Sequence, residues 1–307
     1  MGNPLLSREM TRLLDARLKK AYFDEYTPIP QIKDKLFTTV TDEKAWLEYF
    51  GVNGMPDPEV FNGTVQYQSV SPGYWTKIEN IELAGGIIIE RKMLDDDQYG
   101  IAKQYAGKLG GAMARKHNKI AHEPFRYADS ASFTFMQSEE GVALCSNSHT
   151  TKAPGVSTST GFDNYATLAL DPVNLEALRI QGLQLRDPIG ERYESNFDTI
   201  VYPSSLAETV YEITKTKSGL NTEYGNENFQ AGRWKTIELP MLDDWDTSNW
   251  FIVDSKAMKE SLIWWDRIKT EFNNMLDFDS FMRKYNDYSR IGWGFTGWRW
   301  IIGSFPA

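Results

Sequence analysis

The sequence predicts a fold of the α+β class, built around one long helix. Three observations support this prediction. Residues 93–124 carry the longest helical pattern of apolar residues in the chain. Shorter helical and strand patterns alternate between about residues 137 and 260. Two long β segments, 261–272 and 280–295, then predict an antiparallel hairpin near the end of the chain.

The composition is that of a globular chain with an acidic balance. Of 307 residues, 41% are hydrophobic and 24% are charged, and the net charge is −9. That charge argues against a dedicated nucleic-acid reader, although it allows a local basic patch. The longest strongly apolar run, residues 83–89, is too short to span a membrane. The single cysteine, Cys145, and the lack of a signal-peptide pattern lead us to expect a cytoplasmic, reducing compartment.

The first segment predicts an amphipathic helix with excess positive charge. Apolar residues recur at helical spacing between residues 5 and 22. Residues 1–20 contain two acidic side chains and five basic ones. The basic residues are Arg8, Arg12, Arg17, Lys19 and Lys20. A solvated helix face would explain them, and a docking arm or a contact with phosphate is the alternative.

The region from residue 26 to residue 66 has a weaker pattern, because prolines and glycines separate its short apolar pieces. After it we expect a turn at residues 71–73 between the first two of three strands. These strands are predicted at 64–70, 74–78 and 81–90. Structureless connections beyond about 12–15 residues are uncommon inside compact domains. We therefore expect residues 25–90 to project from the body and to be ordered by contacts outside the monomer.

The long helix has recognisable end signals and three internal glycines. Asp95, Asp96 and Asp97 suit a helix start, and Pro124 should limit continuation at the other end. The buried stripe is expected to comprise Ile101, Ala102, Tyr105, Ala106, Leu109, Ala112, Met113 and Ile120. Gly107, Gly110 and Gly111 lie mid-helix, and each costs about 1 kcal/mol relative to alanine. Either a neighbour packs closely against the bare backbone, or the helix is built to bend there.

The remaining elements follow from shorter patterns. A helix at 174–182 should be capped by Asp171 or Asn174. The other expected elements are strands at 131–136, 200–202, 234–239, 250–253 and 298–302, a helix at 206–216, and polar loops at 146–163 and 219–232. In the tail hairpin, residues 273–278 form the connection. One parity of the second strand is aromatic or apolar from Phe281 to Phe295, interrupted by Arg283, Asp287 and Ser289.

No constellation of catalytic or metal-binding residues stands out. The three histidines, His117, His122 and His149, have no metal-ligand spacing, and Cys145 near His149 is a weak pattern for a thiol nucleophile. Two acidic groups are better explained as a helix cap and a turn than as cation sites. They are Asp95–Asp97 and Asp243, Asp244 and Asp246. We therefore predict no catalytic residue, metal or cofactor.

Two short motifs resemble a known family. The tail SRIGWGFTGWRWIIGS, residues 289–304, is similar to the aromatic, glycine-interrupted ending of Mu-like major head subunits. The stretch EEGVALCSNSHTT, residues 139–151, resembles a turn of those subunits, here with Gly141, Ala143, Leu144 and His149. The order of arm, projecting hairpin, long helix, body and tail hairpin likewise resembles the major capsid proteins of tailed bacteriophages, which share the phage Hong Kong 97 fold.

The resemblance implies a division into four parts. Residues 1–48 would be an N-terminal arm, and residues 49–88 an extended loop that lies over a neighbouring subunit. Residues 89–136 and 261–294 would form a peripheral domain with its spine helix at 95–122, and residues 137–260 and 295–307 an axial domain. The loop would contact neighbours through Phe61, Tyr67, Tyr74, Trp75 and Lys77. The arm would do so through its five basic residues, and the three mid-helix glycines would be the hinge of the spine helix.

The same resemblance implies a structural protein and not an enzyme. Its subunits would assemble in the host cytoplasm, as pentamers and hexamers, into the icosahedral shell of a virion around double-stranded DNA. It implies non-specific contact with that DNA, a portal, in some cases a decoration protein, and no membrane. No long charged scaffold segment is present, so we expect a separate scaffold protein. Some relatives cross-link a lysine to an asparagine; Lys77 has no matching motif, so we expect non-covalent closure.

Other functional classes stay open from the sequence alone. The chain has 10 Trp, 15 Tyr and 16 Phe, which an aromatic-rich carbohydrate-binding or adhesion protein could use to stack on sugars. Another phage head or tail structural protein is also possible. An enzyme would need a converging acid–base pair. Size in solution distinguishes these classes, because a shell protein gives megadalton particles or capsomers and a sugar binder a monomer or small oligomer.

Overall fold

The computed structural model describes residues 7–27, 29–65, 67–90, 92–93, 99–217, 227–277 and 282–306. For residues 7–14 and Tyr99 it describes the backbone alone. The helices are α1 (Ser7–Tyr26), α2 (Lys33–Leu36), α3 (Tyr99–Arg126), α4 (Pro172–Gly182), α5 (Ala207–Lys215) and α6 (Ser255–Ser261). The strands are β1 (Thr38–Val40), β2 (Trp46–Val52), β3 (Pro72–Glu79), β4 (Ile81–Glu90), β5 (Gln137–Ser138), β6 (Tyr165–Ala166), β7 (Thr199–Tyr202), β8 (Lys235–Glu238), β9 (Trp250–Val253), β10 (Leu262–Leu276), β11 (Met282–Phe295) and β12 (Ile301–Ser304). Within these ranges, no helix combines the length and apolarity needed to cross a membrane.

The tail hairpin forms the centre of a four-stranded sheet with the order β1-β10-β11-β4. β10 and β11 are antiparallel, from Leu262 opposite Phe295 to Leu276 opposite Arg283. The hairpin prediction is confirmed, but β10 continues through Leu276, where a connection had been expected from residue 273. Phe281 lies outside the described residues. β4 pairs with β11 along its whole length, and β1 runs parallel to β10.

A five-stranded sheet with the order β6-β12-β9-β7-β8 forms the body of the molecule. Its strands β7, β9 and β12 are buried along their whole length. Asp171 caps α4 by accepting a hydrogen bond from the Asn174 N–H at 2.7 Å. The expected last strand is displaced, since residues 298–300 form a turn before β12. The strand expected at 131–136 is wrong: this segment is irregular, although Phe135 and Met136 are buried.

A three-stranded sheet, β2-β3-β5, carries the projecting part of the chain. The strand predicted at 64–70 is wrong, because the described residues there form no strand and β3 begins at Pro72 and pairs with β2. Residues 53–71 are therefore one long connection, which we call the projecting loop. The prediction that all of residues 25–90 project is also wrong, because β1 and β4 belong to the tail-hairpin sheet and Leu36 and Phe37 are buried.

The long helix α3 agrees with the prediction in existence and length but differs at its C-terminal end and in its stripe. Asp95–Asp97 lie outside the described residues. The helix passes Pro124 and ends at Arg126, because a proline this near a helix end removes few hydrogen bonds. Its buried residues include Ala102, Ala106, Met113, Ala114, Ile120 and Ala121. Ile101, Tyr105 and Ala112, which were expected in the buried stripe, are exposed.

The apolar interior has two separate parts. The main core joins the body sheet, the start of β10, the end of β11 and the C-terminal half of α3. The smaller core joins α1, the N-terminal half of α3 and the distal part of the tail-hairpin sheet. It comprises Leu18, Tyr22, Ile89, Ala102, Ala106, Phe272 and Tyr285. The N-terminal helix thus completes an interior that the rest of the chain leaves open.

Candidate assembly interface

The projecting loop and the strand that leads into it display a succession of exposed apolar side chains. These are Phe50, Val52, Met55, Val60, Phe61, Val65, Tyr67 and Val70. Val60 is 94% exposed and Tyr67 is 95% exposed. Soluble monomers rarely expose large contiguous apolar patches, and such patches mark interaction sites. The projecting loop is therefore the strongest candidate for an interface with another polypeptide.

The base of this loop is held firmly, although its apolar side chains are free. The Asn53 side-chain amide donates to Ser71 Oγ at 2.8 Å and to the Pro72 carbonyl at 3.2 Å, which closes the neck of the loop. Trp75 N–H donates to Glu139 Oε2 at 3.0 Å, which ties β3 to the turn after β5. At the far end, Gly63 adopts a φ of +102°, a conformation that glycine reaches without strain. The result is an anchored neck and an exposed apolar tip.

The five residues predicted to contact neighbours fall into two groups. Phe61 and Tyr67 lie in the projecting loop and are exposed. Tyr74, Trp75 and Lys77 lie in β3, where the Tyr74 hydroxyl is 2.7 Å from Thr150 Oγ1 and Lys77 pairs with Glu79 at 2.6 Å. Lys77 is thus at the base of the hairpin, and residues 53–71 contain no lysine.

Sequence reasoning did not select Met55, Val60 and Val65, which are among the exposed apolar residues of the projecting loop. Met55 and Val60 lie near prolines and follow neither helical nor strand periodicity, whereas Val65 belongs to the alternating pattern that predicted a strand at 64–70. For Met55 and Val60, apolar residues without a periodic pattern in a long connection are the signal that could have found them.

The N-terminal helix lies against its own long helix, so residues 15–26 of the predicted arm are ordered by contacts within the chain and not only by contacts with other copies. Leu18 and Tyr22 are buried, whereas Arg17, Lys19 and Lys20 are exposed. The side chains of Arg8 and Arg12 lie outside the described part of the chain. Contacts of these basic residues with neighbours therefore stay a prediction.

The glycines of α3 differ in what surrounds them. A Cβ atom at Gly110 would lie 2.3 Å from the Tyr22 carbonyl oxygen, and one at Gly107 would lie 2.8 Å from Glu25 Cγ. At Gly111 the nearest atom, Arg115 Nη1, would be 3.5 Å away, an ordinary contact. Close packing of α1 therefore explains Gly107 and Gly110 but not Gly111. The hinge stays a prediction.

Buried polar groups connect α1 to the tail hairpin. The Tyr22 hydroxyl donates to Asp287 Oδ2 at 3.0 Å, and Gly85 N–H donates to Asp287 Oδ1 at 2.6 Å. Burial raises the pKa of Asp287 above its ordinary value, against the opposing effect of these two hydrogen bonds. Asp287 and Ser289 were expected to interrupt the apolar parity of β11, and both are buried on it.

His117 occupies the junction between α1, α3 and β11. Its Nδ1 is 3.1 Å from the Tyr26 hydroxyl, and its Nε2 is 3.4 Å from Ser289 Oγ. Burial, and to a lesser degree the charge of Lys33, lowers the pKa of His117 to about 4. The imidazole is therefore neutral at pH 7 and acts as a buried polar link.

The two motifs that carry the family resemblance pack against each other. The His149 ring stacks on Trp298 with a centroid distance of 4.0 Å and an interplanar angle of 5°. His149 Nδ1 is 3.2 Å from Glu140 Oε1, and Nε2 is 3.1 Å from Asn164 Oδ1. Burial tends to raise the pKa of Glu140, but the contacts with His149, the Thr150 N–H and Arg299 together outweigh it, and the net change is downward. Both ring nitrogens of His149 already have hydrogen-bonding partners within the chain, so this histidine is structural.

The remaining candidates for chemistry are also engaged in structure. Cys145 is buried, and burial raises the pKa of its thiol well above the ordinary value. Asp246 accepts a hydrogen bond from Ser248 N–H, as expected for a turn. Asp243 accepts hydrogen bonds from the Ser204 and Ser205 N–H groups, which are distant along the chain. In the described part of the chain, no group of three or more His, Cys, Asp or Glu residues is placed to hold a metal ion.

Comparison with known proteins decides the fold. No family model matches the sequence, and no curated protein matches it. Among solved structures, the capsid of the native GTA particle matches with a TM-score of 0.55 and 14% identity over 90% of both chains. The capsid of Myoviridae phage XM1 matches with a TM-score of 0.53 and 10% identity over 91% of this chain and 92% of the other. The mature capsid of bacteriophage PhiM1 matches with a TM-score of 0.52 and 11% identity over 88% and 85%.

The chain has the fold of a phage capsid protein. This confirms the predicted α+β fold of the phage Hong Kong 97 type, and it extends over nearly the whole chain. Identities of 10–14% are too low to transfer residue roles from one chain to another. The comparisons therefore identify the architecture, and the candidate interface residues rest on the geometry of this chain alone.

Proposed function

We propose that this chain is a major capsid protein. Copies of it would associate as pentamers and hexamers and close into an icosahedral shell around phage double-stranded DNA. The shell would be assembled in the host cytoplasm, retained in the virion, and closed by non-covalent contacts. The role is structural, with no reaction catalysed. A separate scaffold protein, a portal and, in some shells, a decoration protein would be its partners.

The observation that carries this proposal is the projecting loop on a capsid fold. Its six exposed apolar side chains are held away from the monomer by an anchored neck, and within the described residues no other part of the chain covers them. Burying such side chains stabilises an association by roughly 25 cal/mol per Å² of apolar surface, before the cost of association is subtracted. In a shell, each loop can be covered by the next copy of the chain.

Negative-stain electron microscopy of the purified full-length chain, together with size-exclusion chromatography, tests the proposal. We expect the wild-type chain to form capsomers or shells. The double variant Phe61→Ser/Tyr67→Ser should remain monomeric, because it removes two large apolar groups from the loop tip while leaving its neck intact. A wild-type chain that stays monomeric at high concentration would contradict the proposal.

A matched control separates the loop from general surface apolarity. Phe229 and Tyr211 are a second phenylalanine and tyrosine with 69% and 66% exposure, and both lie in the body. The variant Tyr211→Ser/Phe229→Ser should therefore assemble as the wild type does. Equal loss of assembly in both variants would show that the projecting loop has no special role.

A further inference from the structure

The solvent face of the long helix is cationic in a chain that is acidic overall. Lys103, Lys108, Arg115, Lys116 and Lys119 are all exposed on α3. The helix contains a single acidic residue, Glu123, which is half-buried. Exposed Arg17, Lys19 and Lys20 of α1 add to this charge, although α1 also exposes Asp24 and Glu25. The helix α3 therefore carries a local excess of positive charge.

Three of these cations form a straight row. At about 100° per residue, Lys108, Arg115 and Lys119 fall within an arc of roughly 40° on the helix surface. At about 1.5 Å per residue, the row is roughly 16 Å long. Along this stretch the other exposed residues are Ala112 and Lys116. A partner that binds here meets charge with almost no apolar surface.

The cations of this row form no ion pairs within the described residues. None of Lys108, Arg115 and Lys119 forms an ion pair with any residue that the structure describes. Several cations elsewhere, by contrast, lie against carboxylates. These ion pairs include Lys77–Glu79, Lys152–Glu139, Arg283–Asp15, Lys284–Asp277 and Arg290–Glu82. The charge on α3 is thus left uncompensated within the described chain.

We propose that the row Lys108, Arg115 and Lys119 contacts the phosphate backbone of duplex DNA, so that this face of α3 lines the interior of the assembled shell. The inference rests on the proposed capsid function, because the row has a DNA partner only if the chain encloses one. Duplex DNA presents about one negative charge per 1.7 Å of axis, so the row spans roughly ten phosphates. A protein partner would be expected to bury apolar or aromatic groups at its centre, and the row offers none.

The test measures DNA binding by the full-length chain, independently of assembly. A fluorescein-labelled 30-base-pair duplex of random sequence would be titrated with the chain, with fluorescence anisotropy as the readout. The titration would be repeated between about 50 and 200 mM salt. The variant Lys108→Gln/Arg115→Gln/Lys119→Gln should bind more weakly. The slope of log K against log salt should become shallower by about 3, since each phosphate contact contributes about 0.9.

A charge-matched control excludes an effect of net charge alone. Lys215, Lys217 and Lys256 are exposed cations of the body. The variant Lys215→Gln/Lys217→Gln/Lys256→Gln should keep the wild-type slope. Equal slopes for all three proteins, or no measurable binding by the wild type at the lowest salt, would overturn the proposal. Displacement of the DNA by polyglutamate at equal charge concentration would also overturn it, because the face would then select an acidic polypeptide.

The same proteins examined by negative-stain microscopy separate the two proposals. Shells formed by the row variant with an unchanged DNA slope would leave the capsid function standing and remove the DNA-facing assignment. If the wild type forms no shells but the row variant shows the predicted change of slope, the phosphate contact of the row would stand, and the capsid function and the shell-interior assignment would both be removed.

Discussion

The two halves of the long helix are packed in different ways. The N-terminal half meets its neighbour through small residues, since Ala102 and Ala106 are buried and Gly107 and Gly110 lie against α1. The C-terminal half is fixed by large ones. Phe125 packs edge-on against Phe251, with ring centroids 5.4 Å apart. One half therefore accepts another helix at close range, and the other half is part of the main core.

This difference indicates that the two halves have different stabilities. The smaller core around the N-terminal half depends on α1 for Leu18 and Tyr22, and it contains far fewer buried residues than the main core. Regions with few buried apolar groups open at lower free energy than the main core of a protein. The glycines at 107–111 lie at the boundary between the two cores, which is where a helix with one fixed half and one looser half would bend.

The largest expected effect comes from truncating one phenylalanine in each of the two cores. Phe125→Ala removes a buried ring from the main core and should lower the free energy of unfolding by about 3–5 kcal/mol, measured by urea denaturation. Phe272→Ala is the matched change in the smaller core, where Phe272 contacts Tyr22 at 4.9 Å between centroids. We expect it to accelerate hydrogen exchange of α1 with a smaller loss of global stability. Equal losses and unchanged exchange of α1 would show that the halves unfold as one unit.

A second prediction concerns pH and the junction at His117. Because the pKa of His117 is about 4, and that of an unfolded histidine is about 6.5, the unfolded chain binds more protons between these values. Stability should therefore fall as the pH falls through this window, by about 2–3 kcal/mol at pH 4.5. The raised pKa of Asp287 has the opposite sign, because its native carboxyl binds a proton where the unfolded one does not.

Urea denaturation of the wild type and of His117→Gln from pH 4.5 to 7.5 isolates the histidine. Lys33 and Asp266 are the charged groups that influence it, and both remain in the variant. The difference in stability between the two proteins should change by about 2–3 kcal/mol across the window. A constant difference would show that His117 does not titrate as its burial requires.

The sequence predicts those parts of the fold that depend on neighbours close along the chain. Helix α3, the tail hairpin, β7 and β9 all follow from periodic apolar residues, and Asp171 was identified as one of two possible caps. The strand expected at 64–70 fails because alternating apolar residues form a strand only where a partner strand is available, and β2 pairs with β3 instead.

The packing of α1 was harder to predict because it joins residues far apart in the chain. Asp287 reads as an interruption of an apolar strand, yet its partners Tyr22 and Gly85 lie more than 200 residues away and bury it. Similarly, the need for glycine at position 110 is set by the backbone of Tyr22. The sequence left packing and bending as equal explanations. The position of α1 shows close packing at Gly107 and Gly110, and bending stays a prediction.

The smallest expected effects are those of single alanines at Gly110 and Gly111. Gly110→Ala places a Cβ atom 2.3 Å from the Tyr22 carbonyl oxygen, a backbone atom that cannot rotate away, so α1 must shift. We expect a net loss of about 1–3 kcal/mol and faster proteolysis of α1. Gly111→Ala meets only an ordinary contact at 3.5 Å, so the better helix propensity of alanine should stabilise the chain by up to about 1 kcal/mol.

Gly111→Ala is therefore the variant that tests bending without disturbing packing. If α3 must bend at 107–111 during maturation of a shell, this variant should give a stable chain that forms initial particles but expands slowly, as seen by microscopy after a change of pH or removal of scaffold. Normal expansion of Gly111→Ala particles, with impaired assembly of Gly110→Ala alone, would show that the glycines serve the approach of α1 and nothing else. The contrast between the two halves of the helix would then be one of packing and not of motion.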